Sequence, residues 1–132
     1  MIYLDSCALV KLLRSEDYSA DIAAHVSAST TALISSELAR TEVHRALWRN
    51  SEPQSVHETA DTLLTHVATL PLATIIDDAA QLPYQHLRSL DALHLATALR
   101  LGDAVHQFIT YDQRLAQAAH ESSLNVLSPG AN

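Results

Sequence analysis

At 132 residues the chain is expected to form one domain, residues 1–132, that buries roughly two thirds of its unfolded surface without a disulfide or a metal staple. Eight basic residues against fifteen acidic ones leave a formal charge of −7, which argues against a protein that coats nucleic acid nonspecifically. Apolar residues make up 48% of the chain, but no run is long enough to span a bilayer and the start does not read as a signal peptide; with a single cysteine, Cys7, this predicts a soluble cytoplasmic protein with no membrane association.

In chain order, Ile2, Tyr3 and Leu4 form a short apolar run that ends on Asp5, the pattern of a buried strand carrying a carboxylate at its end. Residues 6–13 are apolar nearly all round and predict a deeply packed helix. Cys7 is read there as a packing residue rather than a nucleophile, because no base flanks it. A second helix is expected over residues 17–28 and a second strand over 32–34. Residues 36–50 predict a third helix that ends before Pro53, with Ala39, Val43, Ala46 and Leu47 as its buried stripe and Glu42 at the margin. Trp48 points away from that stripe, as a partner surface or as cover for a neighbouring helix. Residues 54–69 show Val56, Ala60, Leu63, Leu64 and Val67 at helical spacing and stop at Pro71. Strands are expected at 72–76, 107–110 and 124–127, and between the first two lies a helix that Asp91 opens and Gly102 ends. The alternation predicts an α/β fold in three layers, a central and mainly parallel five-stranded sheet flanked by helices.

Asp112 follows Phe108, Ile109, Thr110 and Tyr111, so two strands aim acids at one crevice, and open α/β sheets bind ligands outside the C-terminal ends of parallel strands. Asp91 and Glu42 add two more. Four acids converging without basic partners repel one another, and a divalent cation is the natural counter-charge. Magnesium, or manganese in its place, prefers carboxylate oxygens and keeps several waters, so a few acids and a substrate phosphate complete its shell. Each acid also has a plainer reading. Asp5, Asp91 and Asp112 can cap helix N-termini, and Glu42 can pair on a helix surface with Arg45 and Arg49, three and seven residues on. Capping does not explain why acids end two strands and edge a buried stripe. The two glycines and the lone lysine, Lys11, exclude GxxxxGK[ST] and GxGxxG loops. None of the eight histidines shows paired spacing such as HxxxH; His94, one turn after Asp91, is read as a packed histidine bonded to a nearby backbone group or acid rather than as a proton relay.

Four segments, Ile2-Tyr3-Leu4-Asp5-Ser6-Cys7-Ala8-Leu9-Val10-Lys11-Leu12, the helix bearing Glu42, Leu90-Asp91-Ala92-Leu93-His94-Leu95-Ala96-Thr97-Ala98 and Ile109-Thr110-Tyr111-Asp112-Gln113-Arg114-Leu115, give the whole chain a resemblance to PIN-domain proteins, most closely the VapC-type toxins of bacterial toxin and antitoxin pairs. The resemblance implies a PIN-like sheet between helices and a metal-dependent endoribonuclease that hydrolyses RNA with a metal-activated water. It carries catalytic and metal roles onto Asp5, Glu42, Asp91 and Asp112, some direct and some through water, and pocket roles onto the hydroxyls of Ser6 and Thr110. It further implies a homodimer and a cognate antitoxin that lays a helix on the early helices and sends a basic side chain toward the acids, with Trp48 and residues 17–28 as anchors. Cys7 stands where the family usually has serine, and activity is expected to survive that change. Arg14, Arg45 and Arg49 are candidate phosphate contacts. Two competing readings are a catalytically weak regulatory module with a structural metal, and a phosphoacceptor domain; the absence of any lysine after Lys11 speaks against the second.

Overall fold

A computed structural model describes residues 1–131; Asn132, the last residue of the expected domain, lies outside the described residues. Strands β1 (Ile2–Leu4), β2 (Leu33–Ser36), β3 (Val67–Leu70), β4 (Gln107–Ile109) and β5 (Val126–Leu127) form one parallel sheet in the order β3-β2-β1-β4-β5. The central strand β1 is buried at every position, because both faces of the sheet are covered. Alternation along it sorts the core in two. Ile2 and Leu4 join Ile109 under α1 (Ser6–Lys11), α2 (Ser19–Ser27), α3 (Ala39–Arg49) and α4 (Gln54–Thr65). Tyr3 joins Ile34 and Phe108 on the opposite face, under α6 (Ser89–Leu101) and α7 (Gln113–Glu121). Short α5 (Ile76–Ala80) packs on α6 through Ala79 and Ala96. This is the expected three-layer architecture.

One stretch differs from expectation. The helix read over residues 54–69 stops at Thr65, and Val67, the last member of its apolar series, opens β3 instead. Val67 suits either period. What decides is the ladder to β2, where four consecutive residues from Val67 to Leu70 pair with Leu33 to Ser36 and bury Val67 at the sheet edge. The strand read over 72–76 is consequently absent: Leu72–Thr74 is one 3-10 turn and Ile76 begins α5. The Leu72 amide is held by Glu37 Oε2 at 2.7 Å and the Thr74 hydroxyl bonds the Pro71 carbonyl at 2.7 Å, which turns the chain, while Asp77 and Asp78 suit a helix start. Helix α3 begins at Ala39 rather than 36 because Ser36 completes β2 and its hydroxyl accepts from the Leu38 amide. Cys7 corrects a second expectation, since it is exposed while its neighbours Ser6, Ala8, Leu9 and Val10 carry the packing of α1.

Between α3 and α4 lies a polar chain that sequence spacing did not reveal. Asp61 Oδ1 sits 2.7 Å from His44 Nε2, and His44 Nδ1 sits 2.7 Å from His57 Nδ1, while buried His57 Nε2 has no partner among the described residues. The Trp48 ring lies 4.2 Å from the His57 ring and is still 55% exposed, so one part of it covers α4 and the rest faces outward. Trp48→Ala should therefore lower stability by about 1 kcal/mol through lost aromatic cover, read as a fall in melting temperature; an unchanged value would leave Trp48 only its outward face.

Candidate active site

Parallel pairing in register places the ends of β1 and β4 side by side, Leu4 opposite Ile109, so the chain leaves both strands at one edge of the sheet. Asp5 and Asp112 are both N-caps, with Oδ1 accepting from the amides of Ala8 and Leu115 at 2.8 Å each. The capping reading is thus correct for these two, and it uses only one oxygen of each. Thr110 joins them: its amide neighbour Asp112 donates to Thr110 Oγ1 at 3.1 Å, and that hydroxyl donates to Asp5 Oδ2 at 2.5 Å. Asp5 is almost wholly buried and fixed through both oxygens.

Glu42 enters from α3, and its partners are not the arginines on its own helix. Ser6 Oγ donates to Glu42 Oε1 at 2.6 Å and His94 Nε2 lies 2.7 Å from the same oxygen. The other ring nitrogen of His94 stands 2.8 Å from the buried Tyr3 hydroxyl, as expected for a packed histidine bonded to an acid. Asp91 stands in the first turn of α6, two residues inside it, and makes no cap. Arg88, which sequence reasoning missed, bridges Asp91 Oδ2 at 3.6 Å and Asp112 Oδ2 at 3.7 Å. The signal was present: an arginine three residues before Asp91 at the start of a helix.

Three of the four acids are shifted by their surroundings. Burial, then the charge of Asp112, raises the Asp91 carboxyl above the ordinary range, with Arg88 and His94 opposing. Burial also raises Asp5, against the nearby His94, the Thr110 and Ala8 bonds. At Glu42 partial burial acts upward, yet the bonds from His94 and Ser6 outweigh it and hold the carboxyl below its usual value. Although Cys7 is exposed on the cleft wall, partial desolvation there, together with the charges of Asp5, Glu42, Asp91 and Asp112, pushes its thiol up to about 12, which disfavours the thiolate a nucleophile needs.

A cleft of about 600 Å³ opens at this edge, lined by Ser6, Cys7, Glu42 and Asp112 and by the cations Lys11, Arg45 and Arg49. Arg45 and Arg49 are exposed and reach no acid among the described residues, which leaves their guanidinium groups free to meet a phosphate. Arg14 is otherwise engaged, tied to Glu16 at 2.5 Å and to Glu52 at 2.8 Å, and does not line the cleft. Among the described residues no three His, Cys, Asp or Glu side chains stand close enough to form a finished ligand cage. The donor chemistry nonetheless fits a hard cation: four carboxylates in excess of one bridging arginine, with waters to complete the shell.

Fold and site together define a class, a parallel α/β domain covered on both faces whose central strand ends and flanking helices bring four carboxylates within one another's electrostatic reach, two of them, Glu42 and Asp112, lining the cleft. A family model for the PIN domain matches residues 2–121. Ribonuclease VapC46 of Mycobacterium tuberculosis is 40% identical over 130 residues, covering 97% of either chain. The crystal structure of M. tuberculosis VapC20, described as a toxin that cleaves the sarcin-ricin loop, superposes with a TM-score of 0.74 at 15% identity over 89% of this chain and 95% of that one. The structure of VapBC-1 from nontypeable Haemophilus influenzae gives 0.67 at 20% identity over 97% and 98%. The chain belongs to the PIN-domain family, in its VapC group.

Proposed function

We propose that this protein is an endoribonuclease toxin whose site comprises Asp5, Glu42, Asp91 and Asp112, which would hold Mg²⁺ or Mn²⁺ in the active state, and which is restrained by a cognate antitoxin. The observation that carries the reading is that acids from the end of β1, from α3, from α6 and from the end of β4 act on one another electrostatically, with Glu42 and Asp112 lining the cleft, in a chain 40% identical to a VapC ribonuclease. When bound, a hard divalent cation lowers the pKa of a water and stabilises charge on a phosphodiester.

The chain's own residues do the rest. The caps and the Thr110 hydroxyl fix Asp5 before any ligand arrives, so little ordering remains to be done on binding. Tyr3, His94 and Ser6 hold Glu42 ionised and aimed. Arg88 offsets the repulsion between Asp91 and Asp112 and is a further candidate phosphate contact beside Arg45 and Arg49. An antitoxin that delivers an arginine to the same acids would form bidentate bonds there and exclude the metal. A second copy of the chain is the other expected partner.

Total RNA incubated with the purified protein should be cut in Mn²⁺ and left whole in EDTA. Addition of the protein encoded next to it should stop the cutting. Mn²⁺ should also raise the melting temperature, by less as pH falls, because ligation needs ionised carboxylates. Cleavage that persists in EDTA would remove the metal from the mechanism; a protein that cuts no RNA under any of these conditions would favour the regulatory module.

A further inference from the structure

The cleft has an aromatic flank that the acid chemistry leaves unused. Tyr18 and Tyr111 stack with ring centroids 5.6 Å apart and planes within 5°. The only lysine of the chain, Lys11, sets its ammonium 4.9 Å from the Tyr111 centroid and 5.8 Å from that of Tyr18. Each member is pinned. The Tyr111 hydroxyl donates to the Pro129 carbonyl at 2.8 Å, and Lys11 Nζ donates to the Asp17 carbonyl at 2.9 Å. Tyr18 is held at φ +68°, a left-handed conformation that side chains other than glycine rarely adopt, and 42% of it remains exposed. Strain of this kind persists where surrounding structure imposes it, and it gathers at ligand sites. Tyr111 and Lys11 both line the cleft, and Tyr111 directly precedes Asp112.

We propose that the Tyr18 and Tyr111 pair, backed by Lys11, is a stacking platform for one unpaired nucleobase of the RNA, next to the phosphodiester presented to the acids. This rests on the ribonuclease reading and adds the element that holds the strand. A chain of net charge −7 gains little from general attraction to a polyanion, so the affinity has to come from local contacts. Base stacking on an aromatic face is the contact suited to this, since every base presents a π-face and an adjacent cation adds to it. A flat, preorganised pair of phenol rings also selects for a base already out of its helix, because a paired base has both faces occupied.

The test is a cycle between protein and RNA in EDTA, where binding is read without cleavage. A set of short single-stranded oligoribonucleotides, each abasic at one position, is titrated against wild-type protein, Tyr18→Ala and Tyr18→Phe by fluorescence anisotropy. In the wild type one abasic position should weaken binding by about 5- to 100-fold, the range of one base stacked on one aromatic side chain. In Tyr18→Ala that penalty should vanish, and Tyr18→Phe, which keeps the ring, should restore it. If Tyr18→Ala weakens intact and abasic strands alike, or no position loses its penalty, the platform is overturned and the pair only clasps Pro129 to the start of α2. The two readings fail separately: wild-type protein that cuts RNA while Tyr18→Ala retains the abasic penalty overturns the platform alone, whereas wild-type protein that neither binds nor cuts RNA overturns the ribonuclease.

Discussion

Asp91→Asn should reduce RNA cleavage by at least about 100-fold, beyond the usual effect of removing a group one layer out from a metal, while the metal-free protein melts at or above the wild-type temperature. Loss of function with retained stability follows from the site's electrostatics. Asp91 caps nothing and sits in the field of Asp112 and Glu42, so the folded state holds its charge at a cost that asparagine removes. The pH dependence gives a second signature. A carboxyl raised in the folded state binds its proton more tightly there than in the unfolded chain, so the metal-free wild type gains stability as pH falls through the raised Asp5 and Asp91 values toward about 4, the unperturbed aspartate range. Glu42 runs the other way: its lowered value contributes stability above the unfolded value, and that contribution is lost as pH falls further through the folded one. In Asp91→Asn the first gain should shrink and the second loss should remain. A melting temperature well below wild type at neutral pH would make Asp91 a structural residue and take it out of the site.

The acids on strand ends were legible because their placement depends only on local pattern: a short apolar run, then a carboxylate, twice, in strands that pair in register. Glu42 was legible as an acid at the edge of a buried stripe, but its partners were not. Reading along one helix suggested Arg45 and Arg49, whereas the bonds come from Ser6 and His94, 36 and 52 residues away on other helices. Arg14 looked like a phosphate contact until Glu52, 38 residues on, claimed it. The lost strand had another cause, since Val67 satisfies a helical and a strand period equally and only the neighbour β2 decides between them. Tyr18 gave no signal at all, because its left-handed backbone and its stack on Tyr111 are tertiary facts.

Tyr3→Phe should destabilise the fold by about 1–3 kcal/mol, the cost of leaving one buried polar atom unpaired, and lower the melting temperature by roughly 3–12 °C for a chain of this size. The substitution keeps the ring and its stack on Phe108, where centroids lie 5.0 Å apart, so packing is unchanged and the hydroxyl alone is tested. Burial, with Asp5 nearby, drives the Tyr3 phenol well above its usual value, so it keeps its proton and shares a 2.8 Å hydrogen bond with His94 Nδ1. That bond orients the ring so that its other nitrogen, Nε2, lies 2.7 Å from Glu42 Oε1. Without the hydroxyl, buried Nδ1 is left unpaired and the ring loses the bond that orients it. A less firmly placed His94 loosens Glu42 and returns its carboxyl toward the ordinary range, so activity should fall with stability although Tyr3 touches none of the four acids by hydrogen bond. A double-mutant cycle with Glu42→Gln separates the two effects, because the activity loss should collapse once the carboxylate is gone while the stability loss persists. Equal losses of activity from Tyr3→Phe with and without Glu42 would break the proposed chain from Tyr3 through His94 to the site.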